Sequence, residues 1–278
     1  MLASKKKNNL KVALVQMQSQ SSVEINFQDA IKFLLSAIDQ HDAQLIIFPE
    51  NFLCIGSTDY AEIIQEIDFC ITELTKYAKQ YSVYLLLGSV PVLDGKNKYL
   101  SRSILINSAG LIVGSYDKIH LFDVEVGDSQ GSYKESDNFS AGSSHCSLPV
   151  NSNCLGLSIC YDLRFPELYQ LLRKDGAQMI AVPSAFTYKT GEAHWEVLLR
   201  ARAIENQCYI LAPNQCGTHH IEKNGQSRET WGHSMVVDPW GEILCSLKHS
   251  PGVCSASLDF DYLNKIRQSM NLLGHKRL

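Results

Sequence analysis

Leu155-Gly156-Leu157-Ser158-Ile159-Cys160-Tyr161-Asp162-Leu163-Arg164-Phe165-Pro166-Glu167 passes from a largely apolar run into an abruptly polar turn. The first five residues read as a buried strand, and Pro166 suits the opening of a helix. A thiol at such a junction is held rigidly and projects toward the strand ends, where open α/β sheets place their sites. The turn therefore fixes both a class of fold and a candidate nucleophile.

Outward from this stretch the chain alternates short β-like runs with longer amphipathic ones. Upstream, strands are expected at 11–17, 44–49 and 83–88, with helices at 25–38 and about 60–79. Leu100–Ile106 and Leu111–Tyr116 flank Asn107-Ser108-Ala109-Gly110, a hairpin signal. Downstream, helices are expected at about 166–174, 192–206 and 260–270, and strands at 178–183, 208–213, 233–238, 242–247 and 252–258. Residues 123–145 and 217–230 read as polar loops, the first too long to be an idle connection. Helix–strand alternation together with hairpins in both halves favours one domain over 1–278, an α/β four-layer α-β-β-α sandwich with two mixed sheets. Residues 1–9 read as a flexible polar tail.

The bulk properties narrow the function. The 25 basic residues against 29 acidic ones give a net charge of −4, so no general attraction to nucleic acid or an anionic membrane is expected. No apolar run reaches the ~20 residues that span a bilayer, and no leader-like h-region follows the first lysines, which points to the cytoplasm. Nine cysteines, an odd number, several of them inside apolar runs, fit reduced buried thiols better than a disulfide framework. No Cys/His spacing suits zinc, His219-His220 being a loop doublet, and no nucleotide or flavin fingerprint occurs. Neither a metal nor another cofactor is expected.

Two more charged residues close strand-like runs. Glu50 ends Leu45-Ile46-Ile47-Phe48-Pro49-Glu50, where partial desolvation raises a carboxyl pKa and suits general acid–base work. Lys118 follows Leu111–Tyr116, and its ammonium suits stabilisation of a developing oxyanion. A thiol, a carboxylate and an ammonium suffice for covalent acyl transfer. Taken singly, each has a plainer reading as a core thiol, a turn carboxylate or a surface lysine.

Together the three stretches resemble the nitrilase superfamily of carbon–nitrogen hydrolases over nearly the whole chain. Phe48-Pro49-Glu50, Tyr116-Asp117-Lys118-Ile119-His120-Leu121 and Ile159–Glu167 are similar to its glutamate, lysine and nucleophile motifs, in the family's order. The resemblance implies the sandwich fold and a Glu50–Lys118–Cys160 triad. It also implies an auxiliary Glu135 in Tyr133-Lys134-Glu135-Ser136, an oxyanion donor at the backbone of Tyr161, and pocket walls at Phe186 and Thr190. His120–Glu125, Pro183–Phe186, Thr190–Gln207 and Trp231–Gly241 resemble the Nit branch, with Val197–Ala203 and Gln215-Cys216-Gly217 closer to deaminated glutathione amidases than to ω-amidases. Such a substrate carries an α-keto acid carboxylate, for which Arg164 is the expected guanidinium clamp. The family also implies a homodimer.

One segment departs from the pattern: Gly127-Asp128-Ser129-Gln130-Gly131 follows the lysine motif without the proline expected there, which bears on substrate preference. The expected activity is hydrolysis of a small-molecule amide through a thioester on Cys160. An ω-amidase releasing ammonia, and a non-catalytic scaffold on the same fold, are the alternatives. A papain-like protease is disfavoured because it leaves Glu50 and Lys118 unexplained.

Overall fold

The computed structural model describes residues 8–57, 60–127, 132–221 and 225–277. Residues 1–7 of the expected tail and 128–131 of the departing segment lie outside these, whereas Asn9 already belongs to the first strand. The first half comprises β1 (Asn9–Gln16), α1 (Val23–Asp39), β2 (Leu45–Ile47), α2 (Tyr60–Tyr81), β3 (Tyr84–Leu93), β4 (Tyr99–Ile106) and β5 (Ile112–Asp117). Two short strands, β6 (Asp123–Glu125) and β7 (Ser132–Lys134), pair antiparallel and lead into a 3-10 turn at Glu135–Asp137.

The second half runs through β8 (Cys146–Val150), β9 (Asn153–Leu157), a 3-10 turn at Cys160–Arg164, α3 (Pro166–Lys174), β10 (Met179–Ala181), α4 (Tyr188–Asn206) and β11 (Tyr209–Ala212). A hairpin follows, β12 (Cys216–His220) with β13 (Ser227–Trp231). The chain finishes with β14 (Met235–Val237), β15 (Ile243–Ser246), β16 (Gly252–Asp259), α5 (Phe260–Ser269) and α6 (Leu272–His275).

Two six-stranded sheets result, ordered β16-β1-β2-β3-β4-β5 and β15-β14-β11-β10-β9-β8. Both are mixed: β1, β2 and β3 are mutually parallel in the first, β9, β10 and β11 in the second, and the flanking pairs are antiparallel. The period-2 alternation of strands assigns the layers. Val12, Leu14, Leu45, Ile47, Leu86 and Leu105 join a core shared with the second sheet. Their neighbours Ala13, Val15, Ile46, Leu85, Leu87 and Ile106 pack with Leu34, Ala37, Ile67 and Leu74 of α1 and α2. Helices α3 and α4 cover the far side of the second sheet, where Gly156 lets α3 approach: a Cβ there would stand 3.1 Å from Leu172 Cβ. The α-β-β-α sandwich is thus the observed fold.

Three expectations need correction. Residues 123–145 are not one loop but contain β6, β7 and a 3-10 turn. Residues 217–230 hold most of the β12–β13 hairpin, so His219-His220 is a strand pair, and His219 is buried. Strand β8 was not apparent, since Cys-Ser-Leu-Pro-Val contains a proline and little alternation; it is an edge strand, where proline is tolerated. Among the described residues no helix is long and apolar enough to cross a membrane.

Candidate active site

Parallel strands within each sheet send Glu50 and Cys160 to the same end of the molecule. After β2, Phe48 N–H still donates to Leu86 O at 3.0 Å, and the chain then turns, leaving Glu50 3% exposed. Gln215 Nε2 donates to the Glu50 carbonyl at 3.0 Å and to Ser19 Oγ at 2.9 Å, tying that turn to the second sheet's loops. After β5, Lys118 N–H donates to Ser101 O at 2.9 Å and its carbonyl accepts from Gly142 at 2.8 Å. Cys160 follows β9 in the left-handed region, at φ +48°, an uncommon and strained conformation for a residue other than glycine. Its N–H donates to Pro183 O at 2.9 Å, pinning the turn to the end of β10.

These turns converge. Lys118 Nζ lies between the two carboxylates, 2.8 Å from Glu50 Oε1, 3.0 Å from Glu135 Oε1 and 2.9 Å from Glu135 Oε2. Glu50 Oε2 accepts the Ala185 N–H at 2.8 Å. Cys160, buried like Glu50, lines the same cavity, close enough for the Glu50 charge to act on its thiol. Glu135 is fixed in turn by Phe122 N–H, 2.7 Å from Oε2.

Burial pushes the Glu50 pKa up, but the Lys118 charge and hydrogen bond, helped by the thiol and Arg228, outweigh it and hold the group below its ordinary 4.5. The strand-end reading, which foresaw a raised value, missed the lysine. Burial alone would lower Lys118, yet Glu135, Glu50 and Cys160 raise it well above normal, so it stays an ammonium. Burial and the Glu50 charge push the Cys160 thiol up, against the pull of Lys118. The resting site is therefore a neutral thiol beside a carboxylate–ammonium–carboxylate cluster.

Asp162, to which sequence reading gave no role, organises both turns. Fully buried, it accepts Ile159 N–H at 2.9 Å and Tyr116 O–H at 2.7 Å on one oxygen. Its other oxygen takes His120 N–H at 3.0 Å and the His120 ring at 2.7 Å. One carboxylate thus binds the segment before Cys160 to the residues on either side of Lys118. The signal for it was present, an acid two residues past the nucleophile, but its four donors come mostly from a distant stretch.

A cavity of about 210 Å³ contains Glu50, Lys118, Glu135 and Cys160 in its wall, with Tyr161, Phe186 and Thr190 as expected. Thr190 stands in the first turn of α4, which starts earlier than the periodicity indicated, and its hydroxyl meets that of Thr187 at 2.7 Å. Tyr161, second in the 3-10 turn, carries one of the N–H groups that a helix start leaves unpaired.

Arg164 is not brought to the cavity wall. It lines an adjoining groove with Glu125, Lys189 and His194, its Nη1 3.3 Å from His194 Nδ1. The guanidinium that lines the cavity is Arg228 of β13, a strand in a stretch whose polarity predicts a loop. Arg200 and Arg202 are structural, as the helical spacing implied: Arg200 pairs with Glu196 at 3.3 Å, and Arg202 Nε donates to Leu163 O at 3.0 Å. Among the described residues no cluster of three or more His, Cys, Asp or Glu side chains is arranged to hold a metal.

Comparison with known proteins places the chain in a family. The family model described as carbon-nitrogen hydrolase matches residues 11–268. The chain is 40% identical to the deaminated glutathione amidase of Yersinia enterocolitica, covering 97% of this chain and 93% of that protein. Among solved structures, the Caenorhabditis elegans NitFhit protein is similar with a TM-score of 0.88 at 36% identity, over 98% of this chain and 66% of that one. Saccharomyces cerevisiae Nit3, a member of branch 10 of the nitrilase superfamily, gives a TM-score of 0.81 at 30% identity, over 96% and 97%.

Proposed function

The chain belongs to the carbon–nitrogen hydrolase family and is an amide hydrolase; on that premise we propose that Glu50, Lys118 and Cys160 carry the reaction and that deaminated glutathione is the substrate. The observation that carries the catalytic part is that Cys160, Glu50 and Lys118 line one cavity, with Lys118 Nζ 2.8 Å from Glu50 Oε1.

A thiol held up and a carboxylate held down do not exchange a proton spontaneously, so thiolate formation and attack must occur together. As Cys160 Sγ bonds to the amide carbon, its proton passes to Glu50 and the negative charge moves to the carbonyl oxygen. That oxygen is stabilised by Lys118 and the Tyr161 N–H, so the charge remains beside the ammonium throughout. Glu50 then protonates the departing amine, leaving a thioester. Water, deprotonated by Glu50, attacks the thioester, and Cys160 recovers its proton as the acid leaves. Glu135 holds Lys118 in place through both steps.

The groove carrying Arg164 supports a leaving group larger than ammonia, because it opens beside the cavity and shares Phe122, Tyr161 and Thr190 with it. This favours release of Cys-Gly over the ω-amidase reading. Nine free thiols suit a reducing compartment, in keeping with a cytoplasmic enzyme. Outward-facing Leu171 on α3 and Val197 and Ile204 on α4 suit a homodimer built on that helix layer.

The test is intact-mass detection of an acyl adduct with deaminated glutathione, expected in the native protein and absent in Cys160→Ala. Cys-Gly release should exceed ammonia release from α-ketoglutaramate. An unmodified Cys160 during turnover ends the catalytic part, and faster ammonia release ends the substrate part.

A further inference from the structure

We infer that Arg228, on the β12–β13 hairpin, is the specificity-determining cation that receives the distal carboxylate of the substrate's acyl half. The inference deepens the amidase reading of the same cavity and rests on it.

Arg228 lines the cavity that contains Cys160. The hairpin reaches this place because Trp231 N–H donates to Phe186 O at 2.9 Å and Thr230 bridges Thr187, docking β13 on the segment between β10 and α4. One edge of the guanidinium is committed: Nη2 donates to the carbonyl of Ala185, whose N–H holds Glu50. Its face lies over Tyr133, 5.4 Å from the ring centre. The Nε–H is buried and has no hydrogen-bond partner, and among the described residues no carboxylate forms an ion pair with Arg228. A guanidinium oriented on two sides and unsatisfied on a third is prepared for an anion.

Charge balance gives the reason for a cation here. Glu50 and Glu135 share the ammonium of Lys118, which leaves one negative charge in the buried cluster beside Cys160. An acyl chain ending in a carboxylate is repelled by that cluster; of the two other cations lining the cavity, Lys134 is exposed to solvent, whereas Arg228 is partly buried and oriented by Ala185. Arg164, the guanidinium closest to the nucleophile in sequence, faces the neighbouring groove and engages His194, Tyr161 and Phe186. The ligand class is therefore a linear ω-amide with a carboxylate at its far end.

The test is calorimetric titration of the full chain carrying Cys160→Ala, so that turnover does not interfere. The probes are glutaramate and pentanamide, five-carbon amides with and without the terminal carboxylate. Glutaramate should bind more tightly than pentanamide. Adding Arg228→Gln should weaken glutaramate by about 10- to 100-fold, the range for a charge-assisted hydrogen bond, and leave pentanamide unchanged. Arg228→Lys, which keeps the charge but loses the fork, should fall between and covers the case in which the glutamine variant misfolds. The inference fails if the parent shows no preference for glutaramate. It fails also if Arg228→Gln weakens both amides alike, as expected for an arginine acting only through Ala185 and Glu50, or if Arg164→Gln removes the preference instead. Because no step depends on Cys160 chemistry, a failed acyl-adduct experiment and a failed titration are separate results.

Discussion

The nucleophile turn and the β12–β13 hairpin both face the cavity, but they are held by opposite means. Around Cys160 every constraint is internal: Asp162 is fully buried with four donors, Leu163 is fully buried, and the Cys160 N–H is fixed to Pro183. The hairpin is a two-stranded ribbon apart from both large sheets, with exposed Thr218, His220 and Glu229 alternating with buried His219 and Thr230. Chemistry sits on over-determined strand ends, and the proposed recognition sits on an appended ribbon docked by a few contacts. Changes to the first should therefore strike kcat, and changes to the second should strike KM.

The largest effect is expected from Lys118→Met. It removes the oxyanion cation, worth about 10²–10³ in rate, and also leaves Glu50 and Glu135 buried without a counter-ion. The loss should appear in kcat, with a lower melting temperature. The same variant moves the acid limb of kcat/KM. In the native protein Glu50 is held below 4.5, so activity should persist through that pH and decline only beneath it. The sign for stability is the same: a depressed carboxyl contributes fully above its unfolded value and loses that contribution as pH falls through the folded one. Without Lys118, burial prevails and the limb should shift above 4.5. A limb that stays put shows that the lysine does not set the Glu50 pKa.

Asp162→Asn comes next. The amide keeps the shape but presents its N–H₂ to donors that need an acceptor, leaving buried groups unpaired at about 1–3 kcal/mol each. Since Asp162 holds the approaches to Cys160 and Lys118 together, a small displacement of either should cost about 10²-fold in kcat with little change in KM. Thermal melting and steady-state kinetics check both parts. Unchanged kcat in a destabilised protein makes Asp162 a structural residue only.

The same contrast explains which parts were legible in the sequence. Core strands such as Lys11–Met17 and Val83–Gly88 announce themselves because burying apolar side chains is what forms them. Glu50, Lys118 and Cys160 were found because each closes such a run and because the three motifs match a family. β6–β7 and β12–β13 were read as loops because their pairing rests on backbone hydrogen bonds that leave no hydrophobic pattern. Electrostatics was legible only in part: strand-end position gave the burial of Glu50 but not the ammonium 68 residues away that reverses its pKa shift. Arg164 and Arg228 show the same limit. Nearness along the chain favoured the first, and the docking of a hairpin, invisible to periodicity, brings the second to the cavity.

The smallest expected effect tests the hairpin's attachment. Gly191 in the first turns of α4 lies against Trp231, and a Cβ there would stand 2.2 Å from Trp231 Cβ. Gly191→Ala therefore forces β13 and α4 apart, an overpacking cost of about 1–3 kcal/mol. Arg228 stands three residues before Trp231 on that strand, so the push should carry it away from the cavity while the Cys160 turn, anchored by Asp162, stays in place. The expected result is a rise of a few fold in KM for amides bearing the distal carboxylate, at constant kcat and with the acid limb unmoved. A fall in kcat of the same size would mean that the ribbon and the nucleophile turn are mechanically coupled, and that the division between a fixed reacting centre and an independent recognition element does not hold.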